Sequence, residues 1–305
     1  MSVAFTRIAD IRIRWFFPSN TEHYRRDFHG FAEEDNGESY DLTINVNIIE
    51  GDSSLEDLST TTIAQCTGVN KDLNEVAHPF EWIITKTNDG CEHFTISFDE
   101  HPFVNKARID WLINDNKASL TICTLPKYDK SKCDFLILPL FNIFLSRFLI
   151  RQNAILVHSS VISQNDLGVL FTAVSGTGKS TMARIWKDDG ARIINDDMNI
   201  LRIKAETDEV YAYNIPMPYY NDEPKCCILT DIIFISQATN NWIETLPLPI
   251  GAIRLMSNSI HQTFDKETTK QFVSLYTKIA NHVRLHTCGF LPDRRIIETI
   301  KNAVK

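Results

Sequence analysis

No C-x-x-C pair occurs anywhere in the 305 residues, and the seven cysteines, Cys66, Cys91, Cys123, Cys133, Cys226, Cys227 and Cys288, are odd in number. Neither a disulfide framework nor a tetrahedral zinc site is signalled, so the thiols read as buried groups of a reducing compartment. An excess of positive charge is also missing: Lys and Arg number 31 against 39 for Asp and Glu, a formal charge of −8. That balance argues against a protein that wraps nucleic-acid phosphates. The most apolar stretch, Phe135 to Ile150, is shorter than the ~20 residues of a bilayer span, and Pro139, Asn142 and Arg147 interrupt it. It reads as a buried helix with a proline near its first turn. The N-terminus, MSVAFTRIADIRIRWFF, lacks the charged, apolar, small-residue order of a secretory signal. These absences give the expectation of a cytoplasmic protein with neither nucleic acid nor membrane as partner.

What is present is enough apolar material, 43% of residues, to bury a core in each of two domains of ~100–200 residues. The first half reads as strands. Ile8, Ile11, Ile13 and Trp15 fall near one alternating run, and Leu42, Ile44, Val46 and Ile48 alternate strictly. FEWIITKT and CEHFTISF flank Asn88-Asp89-Gly90, whose Asp-Gly pair suits a hairpin turn; RIDWLI and ASLTICTL flank Asn114 to Lys117 in the same manner. An antiparallel meander is therefore expected over about the first 130 residues, with a mobile polar loop from Asn20 to Ser39.

From Ala154 onward strands alternate with helices: AILVHSSVI, GVLFTAV, a helix from Lys179 to Lys187 stopped by Gly190, ARIIN, NILRI, and DIIFIS. Helical runs follow near Pro249–Ser259 and Glu267–His282, and a last helix after Pro292-Asp293 carries Ile296, Ile297, Ile300 and Val304 on one face. The expected division is a strand-rich domain over 1–132 and an α/β domain over 133–305, with 133–151 as a linking helix. Chemistry in such a domain belongs beyond strand ends.

Ser175-Gly176-Thr177-Gly178-Lys179-Ser180-Thr181 joins a predicted strand to a predicted helix. The glycines permit a backbone that turns successive N–H groups inward at the positive end of the helix, an anion site. Lys179 can reach β- and γ-phosphate oxygens, and the Ser180 hydroxyl is placed to ligate magnesium, so a nucleoside triphosphate is the implied ligand. The strict G-x-x-x-x-G-K-[ST] pattern has glycine where this chain has Ala173. A loop with an incidental lysine is the competing reading, and the flanking strand and helix oppose it.

The strand ARIIN then runs into Asp196-Asp197. Two adjacent carboxylates ending an apolar strand must be solvated, paired or metal-bound. One can hold the magnesium while the other takes the proton of an attacking hydroxyl; an acidic turn such as Asp188-Asp189 is the plainer alternative. His158, inside AILVHSSVI, reads on spacing alone as a hydrogen-bonded core residue.

Together, His158, then LGVLFTAVSGTGKST, then ARIINDD resemble the catalytic domain of HPr kinase/phosphorylase, in which a histidine-bearing strand, a phosphate loop and a double aspartate come in that order. SGTGKST also looks like the kinase motif of phosphoenolpyruvate carboxykinase, and the later NIPMPYY, DIIFISQ and FLPD resemble segments of bacterial HPr-kinase-like proteins of unassigned substrate, some of which phosphorylate serine in a peptide. The resemblance covers roughly residues 150–305. It implies an HPr-kinase/carboxykinase-like P-loop domain at the C-terminus, preceded by a mostly antiparallel β (α+β) domain. It makes Ser175 to Thr181 the ATP cradle, Ser180 and Asp197 the Mg2+ ligands, and Asp196 the base, a division that is reversible between the two aspartates. His158 becomes an active-site residue supporting the proton relay, and Lys179 a catalytic cation. The glutamate-arginine-glycine signature that follows the double aspartate in HPr kinases has no counterpart here, so HPr itself and the reverse phosphorylase reaction are not implied.

The reading that follows is an ATP-dependent, magnesium-requiring kinase acting on a hydroxyl, Ser or Thr of a peptide or small protein, in a chain that allows a homo-oligomer. A kinase of a small hydroxyl-bearing metabolite and a non-catalytic nucleotide-binding module are the alternatives.

Overall fold

A computed structural model describes residues 2–18, 28, 30–51, 55, 60–71, 77–126, 135–217, 223–261 and 266–304. They form two compact units, Met1–Phe144 with Pro216–Glu223, and Leu145–Ile215 with Pro224–Lys305. Among the described residues no helix is long and apolar enough to cross a membrane.

The first unit is built on β1 (Ser2–Ile8), β2 (Ile11–Phe17), β3 (Ala32–Glu33), β4 (Leu42–Glu50), β5 (Thr60–Lys71), β6 (Ala77–Thr87), β7 (Glu92–Phe98), β8 (Val104–Leu112) and β9 (Lys117–Thr124). They make one nine-stranded sheet in the order β3-β1-β2-β4-β9-β8-β7-β6-β5. Two sequence expectations change here. The run from Ile8 to Trp15 is not one strand: Ala9 (φ 51°) and Asp10 (φ 59°) form a two-residue turn, and β1 returns as β2 with Ile8 opposite Ile11. Nor does the antiparallel meander extend over the whole unit. It holds from β5 to β9, whereas β4 lies parallel to β2 on one side and to β9 on the other. Local turn chemistry reveals hairpins, but β4 is placed by burying Leu42, Ile44 and Val46, which no local signal encodes.

The hairpin turns themselves are as the sequence suggests, with Gly90 at φ 93° between β6 and β7, and Asn116 left-handed at φ 50° before β9. The loop expected over Asn20 to Ser39 lies outside the described residues at 20–27 and 29, and its far end carries β3. The core is aromatic: Trp15 packs on Phe28 and Phe141, and Phe144 meets Phe94 and Trp111 edge to face. Each such ring buried contributes on the order of 2–3 kcal/mol.

The helix α1 spans Leu140–Leu149, shorter than the expected run from Phe135. Pro139 disfavours helical backbone in the residue before it, so the helix starts only after the proline.

The second unit contains β10 (Ala154–Gln164), β11 (Leu167–Thr172), α2 (Lys179–Asp188), β12 (Arg192–Asn195), β13 (Met198–Ile203), β14 (Val210–Asn214), β15 (Cys226–Ile228), β16 (Asp231–Gln237), β17 (Trp242–Thr245), α3 (Leu248–Ser257), β18 (Ser259–Ile260), α4 (Lys266–Asn281), β19 (Arg284–Phe290) and α5 (Arg295–Ala303). The ten strands run β15-β14-β13-β10-β11-β16-β19-β17, with β12 and β18 also against β10. Only β11, β16 and β19 are mutually parallel. Their residues alternate between two cores. Leu170, Ile232 and Phe234 pack with Leu255, Phe272 and Tyr276 from α3 and α4. Phe171, Ile233 and Cys288 pack with Met182, Trp186 and Ile296 from α2 and α5. Burial on both faces explains why β11 and β16 read as apolar runs, whereas β19, RLHTCGF, carries polar residues and gives no such signal.

The amino end of this parallel core holds a closed polar cluster. The Asp231 carboxylate, wholly buried, accepts hydrogen bonds from Arg284 Nε (2.8 Å) and Nη2 (2.7 Å) and Thr230 Oγ1 (2.7 Å), with His286 Nε2 at 3.0 Å. Burial pushes its pKa up, but His286, Arg284 and Thr230 outweigh that and hold it below the ordinary carboxylate value.

Candidate active site

β10 is the strand on which the site is assembled, because its neighbours change on both sides near one point. On one side β13 covers Ala154 to His158 and β12 resumes at Val161, leaving Asp196-Asp197 as the bend between them. On the other side β18 ends its pairing at Val157 and β11 begins at Ser159, opposite Thr172. The Ser175–Thr181 loop begins three residues after Thr172. Polar groups that would otherwise be used up in ladder pairing thus converge on His158, Ser159 and Ser160.

The bend is held by amide and hydroxyl groups. Asn195 Oδ1 accepts from the backbone N–H of Asp197 (2.8 Å) and of Met198 (3.3 Å). Ser159 N–H donates to Asp197 O (2.9 Å) and Ser160 Oγ to Asp196 O (3.2 Å). The buried Asn199 amide donates to Ser159 O (2.7 Å) and Oγ (3.1 Å). The histidine's own backbone is fixed by Thr172 Oγ1 donating to His158 O (3.1 Å) and by His158 N–H donating to Asn258 O (3.3 Å). None of Asn195, Asn199, Thr172 or Asn258 stands out in the sequence; the one available signal was Asn195 immediately before two aspartates, where an Asx turn is common.

This scaffolding leaves the carboxylates lightly engaged. Asp197 Oδ1 lies 3.3 Å from His158 Nε2, with both side chains about 40% exposed (39% and 41%). The half-buried Asp196 carboxylate has no hydrogen-bond or ion-pair partner among the described residues.

The loop turns through Gly176 (φ 79°) and Gly178 (φ 114°), both in the left-handed region. A Cβ on Gly176 would meet nothing within 4 Å, so its surroundings are open, whereas one on Gly178 would lie 2.9 Å from Phe290 Cζ. Thr177 closes the turn by donating from Oγ1 (2.9 Å) and N–H (3.4 Å) to Val174 O. Lys179 opens α2 and is buried, 6% exposed, its ammonium donating to the carbonyls of Ala173 (3.1 Å) and Val174 (3.4 Å). Burial pushes its pKa down, and the Asp197 carboxylate partly restores it. Ser175 and Ser180 are exposed and Thr181 is half-buried in the first turn of α2. Ser180 Oγ donates to Asp196 O at 3.5 Å, which brings the start of α2 to the double-aspartate bend.

The sequence-derived residues therefore gather at one place: Lys179, Ser180, Asp196, Asp197 and His158 share the junction of β10, β11 and α2. Among the described residues no three His, Cys, Asp or Glu groups form a ready metal cage. Magnesium does not require one, since it binds through one or two carboxylates, hydroxyls, waters and substrate phosphates. The exposed Ser180 hydroxyl at the bend that carries the lightly engaged Asp196 and Asp197 carboxylates is a donor set of that kind.

No family model matches the chain, and no curated protein matches it. Among solved structures, the Hpr(Ser) kinase/phosphatase from Coxiella burnetii is similar at a TM-score of 0.29 with 12% identical residues, over 48% of this chain and 95% of that one.

Proposed function

We propose that the chain is an ATP-dependent kinase that transfers the γ-phosphoryl group to a hydroxyl, that of Ser or Thr in a peptide or small protein. The observation that carries this reading is the meeting of the Gly176–Lys179 loop with the Asp196-Asp197 bend beside His158. A desolvated cation on a glycine-containing loop that opens a helix suits the polyphosphate, and two lightly engaged carboxylates suit a metal ion and the acceptor hydroxyl. The run of His158, SGTGKST and INDD, which resembles HPr kinase/phosphorylase, supports the same assignment.

In this reading Ser180 and Asp197 would hold Mg2+, which when bound neutralises charge on the phosphates. Asp196 takes the proton of the acceptor hydroxyl. The acceptor oxygen forms a new P–O bond as the bond between the γ-phosphorus and the bridging oxygen breaks, and ADP leaves with that electron pair. Lys179 stabilises charge on the phosphoryl oxygens, and His158 orients Asp197. Incubating the protein with ATP and candidate serine peptides, followed by phosphorus NMR, tests the reaction. Wild type is expected to give a phosphoserine signal that Lys179→Ala and Asp196→Asn lose; transfer by either variant at the wild-type rate refutes the assignment.

A further inference from the structure

The two edges of the nine-stranded sheet are finished differently. One is β3, two residues long, whose Glu33 is held by ion pairs to Arg7 (2.8 Å) and Arg12 (2.7 Å). A short, charged edge keeps a sheet from growing by another strand. The other edge is β5, twelve residues of sequence TTTIAQCTGVNK, paired on one side with β6. Among the described residues no backbone group of β5 has a further main-chain partner, and its one other contact is local, Cys66 Sγ donating to Thr67 O (3.3 Å). On an edge strand every second residue directs its N–H and C=O away from the neighbour, so β5 presents a row of such groups.

Little on β5 repels a further strand. It has no acidic residue and no proline, and its one charge is Lys71 at the end. Gln65, Cys66, Thr67 and Val69 are exposed, Val69 at 60%. A bulge interrupts the pairing with β6 between Thr62 and Ala64 and leaves 64–71 in regular register.

The geometry points to β5 as a self-association edge, pairing antiparallel with β5 of a second copy of this chain about a two-fold axis near Thr67. The strand itself argues for that occupant. A peptide partner would be selected by charge or side-chain pockets, and 60–70 carries no charge to select one. A second copy brings the same unmet groups, and antiparallel pairing sends the two Lys71 residues to opposite ends. Outward-directed residues must face one another, so the numbers of facing residues add to an even sum and the axis passes through a residue. An axis at Thr67 sets Thr67 against its own copy and Gln65 against the partner's Val69, every facing pair uncharged. The regular run then supplies about six to eight backbone hydrogen bonds, against about ten in a typical interface. Nothing in this depends on the proposed kinase reading.

Sedimentation of the full chain over a range of concentrations tests it. Wild type is expected to be dimeric at about 100 µM and to dissociate on dilution toward about 1 µM. The double variant Gln65→Lys/Val69→Lys sets lysine against lysine across the axis and should weaken the dimer at least about tenfold, with its melting unchanged. A short bismaleimide should join wild-type chains through Cys66, and Cys66→Ser should abolish that product. Should the double variant fail to fold, the cross-link decides. A wild type that stays monomeric overturns the proposal, as does a dimer whose affinity the folded double variant leaves unchanged or whose cross-link survives Cys66→Ser. Protection of the β5 amides from hydrogen exchange by a serine peptide in a monomeric protein would give the edge to a peptide and overturn it as well.

Discussion

The two ends of the parallel core in the second unit use similar residues to opposite effect. At the amino end, Asp231 is saturated by Arg284, His286 and Thr230 and buried from water. Toward the carboxyl end of β11, Asp196 has no partner among the described residues and Asp197 has one, a histidine at 3.3 Å. A carboxylate whose acceptor sites are all filled fixes strands; one whose backbone is fixed by neighbours keeps its oxygens for a ligand. Asn195, Asn199, Ser159 and Ser160 make that second arrangement by holding main chain and leaving side-chain charge alone.

The comparison breaks if the two ends respond alike to mutation. The largest stability effect is expected from Asp231→Ala, which leaves Arg284 and His286 without their acceptor. A loss of about 3 kcal/mol is expected in urea unfolding, with ATP affinity per folded molecule retained. Asp196→Asn should do the reverse, changing stability by less than about 0.5 kcal/mol while removing phosphoryl transfer. A large stability loss from Asp196→Asn would mean that the aspartate is structural after all. Asn195→Ala lies between: it leaves the N–H groups of Asp197 and Met198 unmet, costing about 1–2 kcal/mol and slowing transfer together, read by melting and turnover on the same preparation.

Two smaller effects concern pH. Asp189 is held at a pKa of about 2 by hydrogen bonds from Arg294 and Lys301, against an ordinary value of 3.8. Its contribution is therefore full above about pH 4 and fades as pH falls through about 2, so Asp189→Asn should flatten the acid limb of a stability profile over that window. The smallest effect belongs to His282, whose pKa is raised from 6.5 by the Lys278 carbonyl and Asp208. A raised histidine stabilises below its unfolded pKa and ceases to do so as pH rises through the folded one. His282→Gln should accordingly narrow the gap between urea midpoints measured at pH 6 and pH 9.

Much of the second unit was legible because local chemistry and tertiary role coincide there. Gly190, at φ 91°, ends α2 where the sequence says a helix must stop, and Ile296, Ile297 and Ile300 are buried along the predicted face of α5. Strands β5, β14, β17 and β19 were not read, nor were the two- and three-residue strands β3, β15 and β18. β5 opens Thr-Thr-Thr and carries few apolar residues, so it has no period to detect, and it is a strand only because β6 pairs with it. At the site, chemistry-bearing residues were visible as types in an order: a lysine after two glycines, then a double aspartate. Their supports were invisible, since asparagine and serine are common everywhere and only the change of partners along β10 gives these ones a task.

By itself the sequence determined the loop's conformational freedom, through Gly176 and Gly178, the helix that Lys179 opens, and the presence of two carboxylates at a strand's end. These are properties of φ, of side-chain charge and of near neighbours in the chain. Tertiary structure alone decided that Asp197 faces His158, that the Asp196 carboxylate meets no partner among the described residues, that β4 runs parallel between β2 and β9, and that Phe290 walls the far side of the loop. Each of those depends on residues tens of positions apart being brought together by burial of apolar strand faces; the local pattern marks which face is buried and not which partner covers it.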